Sequence, residues 1–398
     1  MRVKRVPTQY DVMIAGGGVI GSAIAYFLKG WVGFPGSVLV VEKDPTYANS
    51  STCRSAGGIR QQFSTPENIA MSMFGVQFVR AAREHLAVDG EGPEIPFVEQ
   101  GYLFLATPAG LPILRQNHEL QRAAGAEIAL LDETGLRERF PWLNTDGLAG
   151  GGYGLKNEGW TDPYGLLQAF RRKARALGVE YRKDEIVGVE RSQGRVAAVR
   201  LAEGGRVSCG ALVNAAGAHA SEIAAMAGLE LPVRPRKRFV YVFDCREPGL
   251  SRAPLTIDPT GVYFRPEGQS FICGVSPPEE RDPDCLDLEV EYELFEEVVW
   301  PAIAHRVPAF ESIKLQRAWA GLYDYNLLDQ NAILGPHPQL PNFYAANGFS
   351  GHGLQQSPAV GRAIAELIAY GAYRSLDLAR FSCERVLAGR PLRELNVV

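Results

Sequence analysis

What the sequence lacks narrows its class before any motif is read. It has only six cysteines in 398 residues, at 53, 209, 245, 273, 285 and 383, with no Cys-x-x-Cys pair and no histidine-flanked metal spacing. A disulfide framework and a metal module are disfavoured, and the thiols read as reduced. It lacks an excess of charge of one sign, with 41 Lys and Arg against 45 Asp and Glu, net −4. That balance argues against a nucleic-acid partner and against a general anionic-membrane footprint. Long apolar runs are also missing. Residues 12–28 are uncharged and follow Arg2, Lys4 and Arg5 in the manner of a signal peptide, but Asp11 breaks the junction and glycines fill the middle. The run is also short for a bilayer. The first expected strand begins within about ten residues of Met1, which leaves little room for a transit peptide and points to the cytoplasm. At 46% apolar and 22% charged residues, the chain is globular in composition and long enough for two domains.

What is in excess is glycine, 43 residues, and it clusters. Residues 10–15 (YDVMIA) read as a buried strand, 16–21 (GGGVIG) as a turn, 19–28 as a helix and 37–41 (SVLVV) as a second buried strand, which makes a βαβ unit. Gly16, Gly18 and Gly21 fill G-x-G-x-x-G. In so glycine-rich a chain that pattern arises by chance about 0.5 times, so its context carries the information. The match lies between a strand and a helix, and Glu42 ends the second strand where a ribose hydroxyl would need a carboxylate. Gly16 permits the turn, Gly18 lets backbone approach a pyrophosphate, and Gly21 allows close helix packing beneath a positive helix end. Glu42 argues against a 2′-phosphate. At this point FAD and NAD remain equal.

The remainder departs from a plain dehydrogenase. The loop 50–63 (SSTCRSAGGIRQQF) is too polar for core. Residues 162–178 read as a helix capped by Asp162, opened by Pro163 and closed by Gly178, with its arginines solvated. A strand at 179–182, a hairpin at 186–201 turning at Gln193-Gly194, and a strand at 212–220 follow. Near the C-terminus, a strand at 342–346 leads into the glycine loop 347–356 and a helix expected from Pro358 with Ser357 as its cap. That second helix N-terminus could stabilise the anion that forms on a reduced flavin. Residues 85–150 and 239–275 have a proline-punctuated, strand-rich texture that suggests a second, antiparallel sheet. There the period of two aligns Tyr263 with Arg265, and Phe239 with Tyr241 and Phe243; such a sheet could roof a pocket, although aromatic alternation is more often ordinary core. The basic run Arg234, Arg236, Lys237 and Arg238 reads as a solvated strand entry.

Taken together, and above all through GFSGHG at 348–353, these residues resemble the D-amino-acid-oxidase-like superfamily of flavoproteins, in the branch of sarcosine oxidase and dimethylglycine dehydrogenase. Longer runs, among them AGGIRQQFSTPENI, EGWTDPYGLLQ, PVRPRKRFVYV and AWAGLYDYN, resemble one mitochondrial member associated with assembly of respiratory complex I; without a presequence, a bacterial counterpart is expected. The resemblance implies an α/β (α+β overall) fold: a Rossmann-like FAD-binding domain over 1–84, 151–234 and 316–398, with an inserted, mainly antiparallel β-sheet substrate domain over 85–150 and 235–315. It implies FAD bound through Gly16, Gly18, Val19, Ile20, Gly21, Glu42, Lys43, Ser51, Thr52, Ala56, Gly57, Gly58, Val187, Ala216, Gly217, Gly348, Ser350, Gly351, His352, Gly353, Leu354 and Gln355. It also implies oxidation of the C–N bond of an amino acid or N-methyl amino acid. Arg60 matches the arginine that holds the substrate carboxylate, with Tyr263, Arg265, His352 and Gln355 beside the substrate.

Relatives with tethered flavin carry a histidine where this chain has Arg54, or a cysteine in the segment matching 318–323, so non-covalent FAD is expected. Ile272 stands where an oxygen-activating lysine would fall, which points to a dehydrogenase that passes electrons to a quinone or an electron-transfer flavoprotein. A quinone acceptor would bring the chain to the inner face of a membrane. The competing reading is a flavin-stabilised assembly factor with little turnover.

Overall fold

The computed structural model describes residues 8–247 and 249–395; the basic residues Arg2, Lys4 and Arg5 lie outside it. The first sheet is built on five parallel strands in the order Leu340–Asn347, Gly205–Asn214, Gln9–Ala15, Val38–Glu42 and Glu180–Lys183. Its central strands are buried almost without interruption, as parallel strands covered on both faces must be. One face is covered by the helices Val19–Tyr26, Pro66–Arg80, Pro163–Ala176 and Gly353–Tyr370. On the other lie Ala220–Met226 and the hairpin of Ile186–Ser192 with Arg195–Leu201. That hairpin turns where expected, with Gln193 and Gly194 both at positive φ (50° and 70°).

The C-terminal helix begins five residues before the expected start, at Gly353, and carries Pro358 inside it. Ser357 is not its cap. A proline at 358 cannot donate to the carbonyl of Leu354, and the Ser357 hydroxyl donates to that carbonyl instead, at 2.8 Å.

The second sheet has eight strands, antiparallel except where Leu255–Ile257 runs parallel to Tyr102–Ala106. Its two longest strands, Val233–Asp244 and Lys314–Asn326, pair from Val233↔Asn326 to Asp244↔Lys314. Strand Lys314–Asn326 therefore belongs to this sheet, as does Gly150–Gly154, and the expected boundaries at 151, 235 and 316 cut through it. The aromatic alternation is ordinary core. Phe239, Tyr241 and Phe243 pack with Phe264, Phe271 and Phe310 into a core on the far side of the sheet and do not roof a pocket. The opposite phase, Val240, Val242 and Ile272, packs towards Ala56 and Trp319.

Candidate functional site

Between the carboxyl ends of the parallel strands and the near face of the second sheet runs one elongated cavity of about 800 Å³. This is where an open parallel sheet presents its ligands, and the volume is at the upper end of small-molecule and cofactor sites.

At one end the walls are mostly backbone. Gly16 takes φ +94°, and a Cβ there would meet the carbonyl oxygen of Ala215 at 2.5 Å. At Gly21 a Cβ would stand 2.0 Å from the Gly16 carbonyl oxygen, so helix and turn touch only because no side chain intervenes. Glu42 accepts from the N–H of Gly17 and of Asp44, each at 2.8 Å, and burial raises its pKa. Thr52 receives the Val19 N–H at 3.2 Å. Gly16, Gly18, Val19, Ile20, Glu42, Lys43, Ser51, Thr52, Ala56, Gly58, Ala216 and Gly217 all line this cavity, as do Gly351, His352, Gly353, Leu354 and Gln355. Two helix N-termini, at Val19 and Gly353, open on it without side-chain caps of their own.

Other expected contacts lie elsewhere. The Val187 side chain is exposed, and its neighbour Ile186, on the other face of the strand, lines the cavity. Gly21 packs behind the turn. Gly57 (φ +79°) shapes the loop that receives the Thr161 N–H at 2.9 Å. Gly348 donates to Asp324 at 2.8 Å, and Ser350 borders a separate cavity of about 220 Å³.

At the far end the walls are side chains. Arg60 is buried and faces the cavity, stacked on the rings of Phe63 and Phe104 at 4.7 and 5.5 Å. Its Nη2 donates to Nε2 of His352 at 3.0 Å, while among the described residues its Nε has no partner and no carboxylate forms an ion pair with it. His352, buried beside that guanidinium, is held well below the usual histidine range by desolvation and then by the Arg60 charge. It is neutral, accepts through Nε2, and keeps Nδ1 without a partner. Gln355 accepts the Arg60 N–H at 2.8 Å and the Ser72 hydroxyl at 2.9 Å, so its carbonyl is committed to the protein. Tyr263 lines the cavity, and burial raises its pKa; the phenol is neutral.

Arg265 shares the face of Tyr263 but does not reach the cavity. Its Nε and Nη2 donate to the Ala56 carbonyl at 3.1 and 2.6 Å, Nη1 donates to Pro266 and pairs with Glu267, and the plane lies 4.8 Å from Trp160. Nε and Nη2 hold the loop at Ala56 and Nη1 holds its own strand, so Arg265 clamps that loop from outside the cavity lining.

Several site residues escaped the sequence reading. Tyr102 and Tyr323 add neutral phenols to this end of the cavity. Asp324 is a buried carboxyl pushed up to about 6 by desolvation, against the N–H groups of Phe349 and Gly348 that it accepts. The basic run is solvated at Arg234 but not beyond it. Arg238 is buried, lines the cavity and pairs with both oxygens of Asp282 at 2.7 Å. Lys237 meets Asp287 at 2.8 Å and Arg236 meets Asp284 at 3.4 Å, so this strand holds an acidic strap whose Leu286 and Leu288 face the cavity. The period-two phase shared by Arg238 with Val240 and Val242 was the signal available for it.

The residues at both ends fit FAD. A helix N-terminus and close backbone suit a diphosphate, the half-buried Glu42 carboxylate suits a ribose diol, and the second helix end suits a flavin that gains negative charge. Arg54 donates to the Ala320 carbonyl at 2.8 Å, and its Cβ lies 3.1 Å from where a Gly321 Cβ would be, so the two positions expected to lack a flavin tether are in contact with each other. No helix among the described residues is long and apolar enough to cross a membrane.

The family model for FAD dependent oxidoreductases (DAO) matches residues 11–367. FAD-dependent oxidoreductase domain-containing protein 1 of Xenopus laevis is 47% identical over 98% of this chain and 85% of that protein. The mitochondrial sarcosine dehydrogenase of Mus musculus is 27% identical over 94% of this chain and 42% of that protein. Among solved structures, L-proline dehydrogenase from P. horikoshii superposes with a TM-score of 0.86 at 27% identity, covering 97% of this chain and 100% of that one. Glycine oxidase from Geobacillus kaustophilus gives 0.80 at 25% identity, with 94% and 98% covered.

Proposed function

Because this chain belongs to the DAO family of FAD-dependent oxidoreductases, we propose that it oxidises the C–N bond of an amino acid bearing a secondary or N-methylated amine, of the sarcosine, dimethylglycine or proline kind, and that it works as a dehydrogenase with non-covalent FAD. The observation that carries this reading is Arg60. A buried guanidinium without a carboxylate partner is costly, and a substrate carboxylate completes it with charge-assisted, bidentate hydrogen bonds.

Bound FAD supplies hydride acceptance. The chain's own groups do the rest by orientation. Arg60 fixes the carboxylate, and the Phe63 and Phe104 rings hold the guanidinium plane. Neutral His352 adds no positive charge beside the amine, which must itself be neutral to release hydride from its carbon. Tyr102, Tyr263 and Tyr323 line the same end of the cavity and can offer it neutral phenols. Ile272, buried among Val240, Val242 and Ala56, offers no ammonium to assist oxygen reduction. Electron transfer to a quinone or an electron-transfer flavoprotein is the corresponding acceptor chemistry.

Anaerobic mixing with sarcosine, dimethylglycine, proline and glycine tests the proposal, with bleaching of the flavin spectrum expected for at least one. No bleaching by any amino acid or N-methyl amino acid would favour a flavin-stabilised assembly factor. Heat or acid should release the yellow chromophore into the supernatant; colour that stays with the precipitate would refute non-covalent binding.

A further inference from the structure

The glycine-rich strand Gly150–Gly154 lies outside the cavity lining, and its missing side chains have a specific use. A Cβ on Gly154 would stand 1.9 Å from Glu158 Oε2, and one on Gly152 would stand 2.7 Å from Gln62 Oε1. The strand is a slot for these two buried side chains. Within it, Glu158 Oε1 accepts the N–H groups of Gln61 at 2.6 Å and Gln62 at 3.1 Å, the two residues that follow Arg60. Its Oε2 accepts Gln62 Nε2 at 2.8 Å, and that same amide donates to the Tyr102 carbonyl at 3.2 Å. The Glu158 carbonyl also receives the Gly101 N–H at 3.0 Å. One carboxylate therefore fixes the backbone on which both Arg60 and Tyr102 stand.

We propose that Glu158 is the positioning residue of Arg60 and its internal counter-charge, and that entry of a substrate carboxylate draws a proton from solvent onto Glu158. The inference rests on the reading of Arg60 as the carboxylate anchor. The charge balance gives the direction. With the cavity free of substrate and the pH above the raised pKa of Glu158, the buried cluster holds the Arg60 guanidinium, the Glu158 carboxylate and a neutral His352. A second carboxylate at Arg60 makes two anions share one cation in a dry site, and the less well-satisfied anion takes up a proton. Glu158 is poised for this: desolvation pushes its pKa up to about 7, against the opposing pull of the Gln61 and Gln62 donors and the Arg60 charge. The ionisable side chains that face it are Arg60, from the segment after Gly58–Ile59, and Tyr102, from the neighbouring strand, whose own pKa is raised by burial and lowered by the Arg60 charge. The slot strand contributes only glycine hydrogens at the contact.

By linkage, a ligand that binds best with Glu158 protonated loses affinity as pH rises through the free-state pKa, towards a limit of tenfold per unit. The test is titration of the FAD-loaded enzyme with benzoate, a carboxylate with no oxidisable C–N bond, followed through the flavin absorbance between pH 6 and 9. In the wild type, Kd should rise by at least about tenfold across this range, whereas Glu158→Gln should hold it constant within about twofold. A variant that keeps the wild-type slope overturns the proposal. Arg60→Gln should abolish benzoate binding at every pH; if it does not, the reading of Arg60 fails, whatever Glu158 does. Should Glu158→Gln not fold, calorimetry of benzoate binding to the wild type near pH 7.5 in two buffers of different ionisation enthalpy still decides. Net proton uptake supports the inference, and none refutes it.

Discussion

The two ends of the cavity are built on opposite plans. The cofactor end uses backbone from short, contiguous stretches: the turn 16–21, the strand end at Glu42 and the loop 351–355. The substrate end assembles Arg60, Tyr102, Tyr263 and Tyr323 from four separate segments, and the Glu158 that orders two of them lies on a fifth. Local geometry recognises what is common to every dinucleotide, whereas distant side chains, each adjustable alone, define the particular substrate.

The sharpest way to break this division is Arg60→Gln. Loss of the charge-assisted pair should cost about 2–4 kcal/mol, a fall of roughly 30-fold to 800-fold in kcat/KM for a carboxylate substrate. FAD content should stay constant, and an amine without the carboxylate should show little loss. Flavin loss in this variant would assign Arg60 to the cofactor end.

At the opposite end, Gly21→Ala puts a methyl group 2.0 Å from the Gly16 oxygen and 3.2 Å from Ile14 Cγ2, so turn and helix must separate. About 1–3 kcal/mol of strain should weaken FAD binding roughly 5-fold to 150-fold, measured by flavin fluorescence on dilution. Reconstituted with excess FAD, the variant should keep the wild-type KM.

Arg265→Met separates clamp from ligand. Ala56 would lose its donors, and stability should drop by about 1–3 kcal/mol in urea unfolding, with KM changed less than about twofold. A large KM effect with unchanged stability would restore Arg265 to the substrate site. The smallest effect is expected from Asp284→Asn on the strap, since Asp284 is exposed and sits 3.6 and 3.4 Å from Arg234 and Arg236. Its contribution should be under about 1 kcal/mol and should fade at high salt, as seen in kcat/KM at two ionic strengths.

The same contrast explains what could be read from the sequence. The βαβ unit, the hairpin turn at Gln193-Gly194 and the second sheet were legible because each leaves a local signature of period, turn residue or glycine. Alternation alone could not say which face of Val233–Asp244 meets the site: the aromatic phase could fill a core or roof a pocket, and it is Arg238, Val240 and Val242 that turn towards the site. Arg265 misled for a related reason. Period fixes the face a side chain takes, not how far along the strand the cavity extends. Glu158 left no local sign at all, because its role depends on Gln61 and Gln62 about a hundred residues earlier. The helix start was missed because Pro358 reads as a first-turn residue until the Ser357 hydroxyl is seen to replace its absent donor.

The long ribbon of Val233–Asp244 and Lys314–Asn326 bears on how chimeras of this fold should be cut. Its far end, at Asp244 and Lys314, carries the second sheet, while its near end reaches Asp324, which accepts the N–H groups of Gly348 and Phe349 in the glycine loop of the first. A crossover near 235 and 315 would pair one parent's 235–242 with the other's 317–324 and mismatch eight paired positions. Crossovers before Val233 and after Asn326 would instead move the ribbon as one piece, and the seams to be matched between parents would then include Asp324 with the 348–349 loop and Arg54 with Trp319 and Ala320.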